Sequence, residues 1–286
     1  MTGLRLLGGV ARRNYVKLLS MTNHQNTDAP FESRIKRLLS AGKAAWGIAA
    51  LDESEFSAKL AINCDPDFFW IDLEHRPYGF NEVRWLPILC RQVGVAALIR
   101  VPGLDPVDIK KALDIGASAI MIPQIGTADE AKRAVEYAKY PPQGSRGITP
   151  TWTTYMDVSW DDYLPVANDE TCVVVQIESS EGIANMDAIA AVEGVDVVFA
   201  GPADLSAALG VIGQTQHPKV LDFLASFPQR VGVHGKVAGI TMQKLEHVRR
   251  SYDEGYRFIN TGWFPDVGSG DLTSALETLR DYEHPS

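Results

Sequence analysis

From about residue 33 the chain alternates between short, continuously apolar runs and longer stretches whose apolar residues recur three and four apart. Eight such runs stand out, at residues 45–51, 68–74, 96–101, 119–123, 172–178, 195–201, 237–240 and 257–262. A run that is apolar throughout, rather than at every second residue, marks a strand buried on both faces of a parallel sheet. The stretches between them carry helix signals. FESRIKRLLSAGK reads as an opening amphipathic helix. Asp105-Pro106 precedes VDIKKALDIG, with Gly116 placed to end it. Thr127 precedes ADEAKRAVEYAK, whose first turn holds Asp129 and Glu130, and Ser180-Glu181 opens GIANMDAIAAV.

Eight strands separated by helices predict a single-domain (β/α)8 TIM barrel. The 258 residues that follow the first 28 match the roughly 250 typical of that fold. An open dinucleotide-binding sheet is the competing architecture, but no GxGxxG follows the first strand. One connection is longer than the rest, residues 140–171, rich in Pro, Gly, Trp and Tyr, with a short helix expected within 159–166. It reads either as a functional lid or interface arm, or as an elaborated surface loop.

Composition narrows the class further. Hydrophobic residues make up 45% and charged residues 22% of 286, ordinary values that exclude collagen, coiled coil and wholesale disorder. No apolar run reaches the 18 residues of a membrane span, so no membrane partner is expected. Cys64, Cys90 and Cys172 are odd in number and widely spaced, which fits a reducing compartment better than a disulfide framework or structural zinc. The net charge of −9 divides into +4 over residues 1–27 and −13 over the remainder. An acidic body argues against nucleic acid as a partner. The basic start divides the chain into an extension, 1–28, and the barrel, 29–286. The extension suits a transit peptide, a disordered arm, or an upstream start with Met21 as the true one. The expected location is the cytoplasm, or the mitochondrial matrix if residues 1–27 are a transit peptide.

A barrel places its chemistry at the carboxyl ends of its strands. There the second run ends in Asp72, Glu74 and His75, the third carries Arg100, the fifth carries Gln176 and Glu178, and Asp204 follows the sixth. Each has a structural reading too: Asp204 as a helix N-cap, Arg100 in a rim ion pair, His75 as a hydrogen-bonded structural histidine. Together they gather more buried charge than a barrel mouth tolerates uncompensated. A divalent cation shared by two carboxylates would compensate it, and hard oxygen donors without clustered His or Cys suit Mg²⁺ or Mn²⁺ rather than zinc. Lysine is absent from the carboxyl ends of the eight runs, which disfavours Schiff-base chemistry. GSG at 268–270 reads as a helix-opening turn in preference to a phosphate site.

At these residues the sequence resembles the HpcH/HpaI class II pyruvate aldolases. The likeness lies in IDLEH at 71–75, IRVPGLDP at 99–106, ALDIGASAIMIPQI at 112–125, YPPQGSRG at 140–147, ANDETCVVVQIES at 167–179, VEGVDVVFAGPADLS at 192–206, QHP at 216–218 and GKVAGI at 235–240. The resemblance implies a metal-dependent lyase that reversibly cleaves a 4-hydroxy-2-oxo acid to pyruvate and an aldehyde through a metal-bound enolate. It implies Glu178 and Asp204 as ligands of Mg²⁺ or Mn²⁺, with Co²⁺ a further option. His75 would be the base for the C4 hydroxyl, and Arg100 would hold the pyruvate oxygen. Gln176 and the backbone at Ala203 and Asp204 would be substrate contacts. Asp72 and Asp114 would be acids that orient the histidine, within the chain or across a subunit contact. A homo-oligomer is also implied, a hexamer or trimer of dimers, with the last helix exchanged between neighbours. The sequence departs from the family at TGWFPDVGSG, at the aromatic TPTWTTYMDVSW and around Ala49-Ala50. Decarboxylation of oxaloacetate on the same site is the alternative activity, and a non-catalytic barrel scaffold the alternative class.

Overall fold

A computed structural model of the chain describes residues 31–50, 54–264 and 269–283. The basic extension 1–28 and Gly268 lie outside these residues. Eight parallel strands close into a barrel in chain order, β1 (Ala45–Ala50), β2 (Phe68–Asp72), β3 (Ala96–Arg100), β4 (Ala119–Ile122), β5 (Cys172–Ile177), β6 (Val197–Ala200), β7 (Val237–Thr241) and β8 (Phe258–Phe264). Helix α1 (Arg34–Ser40) precedes the barrel; α2 (Glu55–Ile62), α3 (Phe80–Val83), α4 (Leu86–Gln92), α5 (Pro106–Asp114) and α6 (Ala128–Ala138) follow successive strands. The local signals explain the boundaries. Ser33 caps α1, Asp105 accepts from the Val107 and Asp108 amides, and Thr127 forms a reciprocal capping box with Glu130.

Period-two alternation divides each strand between two cores. Outward residues such as Ile48, Ile71, Ile99, Val175 and Ile240 pack beneath the helices. Inward residues fill the barrel with Trp70, Leu98, Met121, Val174 and a set of rings: Phe68 stacks on Phe258 at 4.2 Å, and Phe199 meets Phe258 edge-on at 6.2 Å. Glycine makes room for them. A Cβ at Gly47 would lie 2.0 Å from the Phe68 ring. Gly47→Ala is therefore expected to cost about 1–3 kcal/mol by overpacking, read as a lower unfolding midpoint.

The long connection folds into α7 (Trp152–Tyr155), α8 (Trp160–Tyr163) and α9 (Ala167–Glu170) around a small core of Tyr140, Trp152, Tyr163 and Ala167. It joins the end of a helix to the start of β5, so it lies at the amino end of the barrel. A lid over the chain's own strand ends is thereby ruled out, and Trp152 is core, with the Arg91 guanidinium 4.0 Å over its ring.

The second half of the barrel is wrapped by α10 (Ser180–Ala190), α11 (Pro202–Ala208), α12 (Pro218–Gly232), α13 (Leu245–Glu254) and α14 (Ser269–Glu283). Within the single chain α14 lies alongside α2. It packs back on its own barrel, burying Leu276 and Leu279. Arg280 pairs with Asp65 and Asp67, and Glu283 accepts the Ala44 amide at 2.7 Å. Among the described residues no helix is long and apolar enough to cross a membrane.

Candidate active site

The carboxyl ends of β2, β3 and β5 bring four of the expected side chains into one hydrogen-bonded chain. Asp72 and Arg100 are cross-strand neighbours in register, and both point inward. Arg100 Nε donates to Asp72 Oδ1 at 2.9 Å and Nη2 to Oδ2 at 2.7 Å, a bidentate fork. Its third nitrogen, Nη1, lies 2.9 Å from Glu74 Oε2 as an ion-pair contact, and 3.5 Å from Gln176 Oε1. Gln176 Nε2 in turn donates to Glu178 Oε2 at 2.5 Å. Asp72, Arg100, Gln176 and Glu178 are all buried. The guanidinium also lies 4.9 Å from the Trp70 ring centre, which closes its floor.

Glu178 is the electrostatic centre of the arrangement. Burial pushes its carboxyl up to about 7; nearby Glu74 and Asp204 push the same way, against the Gln124 amide and Arg100. Burial also raises Glu74, with Asp72 and Asp204 adding to the effect, while Arg100 and His75 oppose it. Asp72, Glu74 and Glu178 thus all draw on the Arg100 guanidinium, with Asp204 adding further negative charge beside Glu74 and Glu178. Gly201 completes the cradle, since a Cβ there would fall 2.8 Å from Gln176 Nε2 and 2.9 Å from Glu178 Oε2.

Asp204 and Ala203 sit exposed in the first turn of α11. The N-cap there is Gly201, with Pro202 opening the helix, so Asp204 is not a capping residue and its carboxylate is free to face the mouth. His75 is exposed at the rim, with Nε2 3.5 Å from Glu74 Oε2. Within the chain Asp72 does not orient His75, because Arg100 takes both of its oxygens and the Glu74 amide adds a further bond at 3.1 Å. Asp114 is not in this site either. It ends α5, at the amino end of the barrel, where Arg146 donates to it at 2.7 Å.

The sequence reading places Glu74 at its strand end without giving it a role, and it misses the Gln124 backbone altogether. Glu74 shares the alternation parity of Asp72, a signal that places it inward, and it supplies both the second carboxylate on Arg100 and the acid beside His75. Gln124 has φ +57, and its backbone N–H donates to Glu178 Oε1 at 3.0 Å. A main-chain donor has no side-chain signature. Lys244 also stands in the loop after β7, on the same end as the site. It is exposed at the N-cap of α13, without the desolvation a Schiff-base lysine needs.

Among the described residues no three His, Cys, Asp or Glu side chains are arranged to hold a metal by themselves. The donor set nevertheless fits a hard divalent cation. Glu178 and Asp204 supply two carboxylates, their mutual repulsion is what a cation would relieve, and water or substrate oxygens would complete the shell.

Residues 50–264 match the family profile described as HpcH/HpaI aldolase/citrate lyase. The chain is 37% identical over 225 residues to the hydroxypyruvate/pyruvate aldolase of Roseobacter denitrificans, covering 78% of this chain and 88% of that one. It is 36% identical over 253 residues to the 5-keto-4-deoxy-D-glucarate aldolase of Shigella sonnei, covering 88% and 96%. The crystal structure of an HpcH/HpaI aldolase from Desulfitobacterium hafniense superposes with a TM-score of 0.74 at 31% identity, over 88% of this chain and 97% of that one.

Proposed function

The chain belongs to the HpcH/HpaI aldolase/citrate lyase family, whose relatives here are carbon–carbon lyases, and from that premise we propose that it is a divalent-metal-dependent class II aldolase. Its reaction is the reversible cleavage of a 4-hydroxy-2-oxo acid to pyruvate and an aldehyde. The observation that carries this reading is the buried relay Asp72–Arg100–Gln176–Glu178, ending in a carboxylate raised to about 7 beside Asp204.

Glu178 and Asp204 would hold Mg²⁺ or Mn²⁺, with Co²⁺ a further candidate. When bound, the cation supplies Lewis acidity toward the 2-oxo acid's oxygens. The chain's own groups do the rest. Arg100, locked by Asp72 and Glu74, presents a fixed positive charge where the C2 oxygen becomes an enolate; a preorganised charge costs no reorganisation as the reaction proceeds. The backbone amides at Ala203 and Asp204 face the carboxylate of the 2-oxo acid. His75 takes the proton from the C4 hydroxyl, and its exposure at the rim supports a role on the aldehyde side. Asp72 then acts through Arg100 rather than through His75. Asp114 would reach a histidine only in a neighbouring subunit, as in a hexamer or trimer of dimers. The three free, buried cysteines fit a reducing compartment such as the cytoplasm.

The test is turnover of the metal-stripped protein on a panel of 4-hydroxy-2-oxo acids and oxaloacetate, with and without Mg²⁺ or Mn²⁺, following pyruvate together with aldehyde or CO₂. Metal-restored release of an aldehyde is the expected result. Metal-independent turnover trapped by borohydride would overturn it, and release of CO₂ alone would make the protein a decarboxylase.

The Glu178 carboxyl gives a pH dependence with a definite sign. Its folded value, about 7, lies above the ordinary 4.5. Its contribution to stability is therefore fully present below about 4.5 and is lost as pH rises through about 7. Metal binding needs the ionised form, so Mn²⁺ affinity of the metal-free protein should rise across the same range with release of a proton. Calorimetric titrations in buffers of different ionisation enthalpy measure both.

A further inference from the structure

The end of β4 carries one residue more than a regular parallel ladder accommodates. Register sets Ala119 against Cys172 and Ile122 against Val175, and the Cys172 N–H donates to Ser118 O at 3.0 Å. The bonds of a parallel pair are evenly spaced and recur every second residue. Continued from Cys172, that spacing would send the Gln124 N–H to Gln176 O. Ile125 takes this acceptor instead, at 3.0 Å. Gln124 is the extra residue, a bulge in left-handed backbone at φ +57. Its N–H is released from the sheet and turns to Glu178 Oε1 at 3.0 Å.

Neither residue type nor packing accounts for this conformation. Among the described residues three that are not glycine have positive φ. The other two, Asp65 and Asp157, stand exposed just after α2 and α7 and are of a type that enters the left-handed region readily. Glutamine is not of that type, and the Gln124 side chain is exposed, so its own burial does not call for the turn. Left-handed backbone away from glycine is costly, and it persists where the surroundings over-determine it, commonly at functional sites. Here it completes a socket. Gln176 Nε2 donates to Glu178 Oε2 at 2.5 Å, and a Cβ at Gly201 would stand 2.9 Å from the same oxygen. Both carboxylate oxygens are thus fixed, one of them by main chain.

We propose that the Gln124 main-chain amide is a positioning group for the metal site: the bulge aims its N–H at Glu178 and thereby sets the affinity for a divalent cation. The inference rests on Glu178 being a metal ligand, as in the aldolase reading, and adds to that reading a group that acts through the ligand. A donor behind a ligating carboxylate orients it, and losing such a partner commonly weakens metal binding about 10–100-fold.

The experiment titrates the metal-stripped full chain with Mn²⁺ calorimetrically and follows thermal unfolding of the same metal-free proteins. Replacing Gln124 by its α-hydroxy acid turns the N–H into an ester oxygen and leaves the side chain as it is. The ester should bind Mn²⁺ at least about tenfold more weakly than the parent. Gln124→Val keeps the N–H but carries a branched Cβ that left-handed backbone disfavours, and should weaken Mn²⁺ binding in the same direction. Gln124→Gly enters that backbone freely and keeps the N–H, so it should bind within about twofold of the parent. A merely structural bulge would lower the unfolding midpoint of the ester and valine proteins and leave Mn²⁺ affinity alone, which overturns the proposal. A glycine variant as weak as the valine one also overturns it, because the effect would then lie in the glutamine side chain. The valine and glycine proteins decide the matter if the ester fails to fold. A parent that binds no Mn²⁺ defeats the metal-dependent reading and the proposal with it. A parent and an ester that bind Mn²⁺ equally tightly defeat the proposal alone.

Discussion

Glu178→Gln is expected to lower both kcat/KM for 4-hydroxy-2-oxo acid cleavage and divalent-metal affinity by at least about 100-fold, while leaving the fold intact or firmer. The two outcomes share one cause. In the metal-free protein the ionised Glu178 is an unfavourable group, because burial and the neighbouring Glu74 and Asp204 all oppose its charge. An amide of the same shape still accepts the Gln124 N–H at Oε1 and removes that opposition; its new NH2 group meets Gln176 once that amide reverses, at the expense only of the long 3.5 Å contact from Arg100 to Gln176 Oε1. Above pH 7 the metal-free variant should therefore unfold at a temperature equal to or higher than the parent, and the pH dependence of Mn²⁺ binding around 7 should flatten. Sites that bind charged ligands commonly cost stability in this way. A variant that loses stability along with metal affinity would show that Glu178 holds the barrel together rather than a cation. A variant that keeps full activity would remove the metal from the mechanism.

Why so much of this site can be read from the chain alone follows from barrel geometry. Strands buried on both faces leave apolar runs that end where the fold places its chemistry. Asp72, Arg100, Gln176 and Glu178 each stand within one residue of a strand end. The largest shifts in boundaries are of two residues: β2 stops at Asp72 short of Glu74, β6 begins at Val197 after the apolar Val195, and β8 runs on to Phe264. What was not legible falls into two kinds. The Gln124 amide on Glu178 arises from a left-handed backbone at a non-glycine residue, and no residue type announces that. Asp114 and the role of Glu74 are different, because the information was present: Glu74 is read at its strand end, but not its contact with Arg100. Two-residue alternation pairs Glu74 with Asp72. The order helix, loop, strand puts Asp114 and the aromatic connection at the amino end of the barrel, away from the chain's own site. A likeness of motifs names residue types without saying which end of the barrel each one occupies.

Arg100→Ala is expected to be the most damaging single change in the protein, costing about 3–5 kcal/mol of folding stability together with nearly all activity. Among the described residues the guanidinium is the only cation paired with Asp72, which is 1% exposed, and it also meets Glu74. Truncating it leaves a buried carboxylate with a single amide for company, the Glu74 N–H. Most of the loss comes from that stranded charge rather than from the pair itself. The distinction can be measured. Asp72→Leu combined with Arg100→Leu replaces the pair with apolar groups on two adjacent strands, and should recover much of the stability that Arg100→Ala loses. Activity should not recover, because no group then presents positive charge to the developing enolate oxygen. Arg100→Lys should fall between the two. It keeps a charge, but a point-like ammonium cannot span Asp72, Glu74 and Gln176 as the planar fork does, so stability should largely survive while kcat drops by on the order of 10²-fold. Thermal unfolding and steady-state rates on the same four proteins decide the matter. If the double variant is as unstable as Arg100→Ala, the fork is structural, and the catalytic reading of its geometry loses its basis.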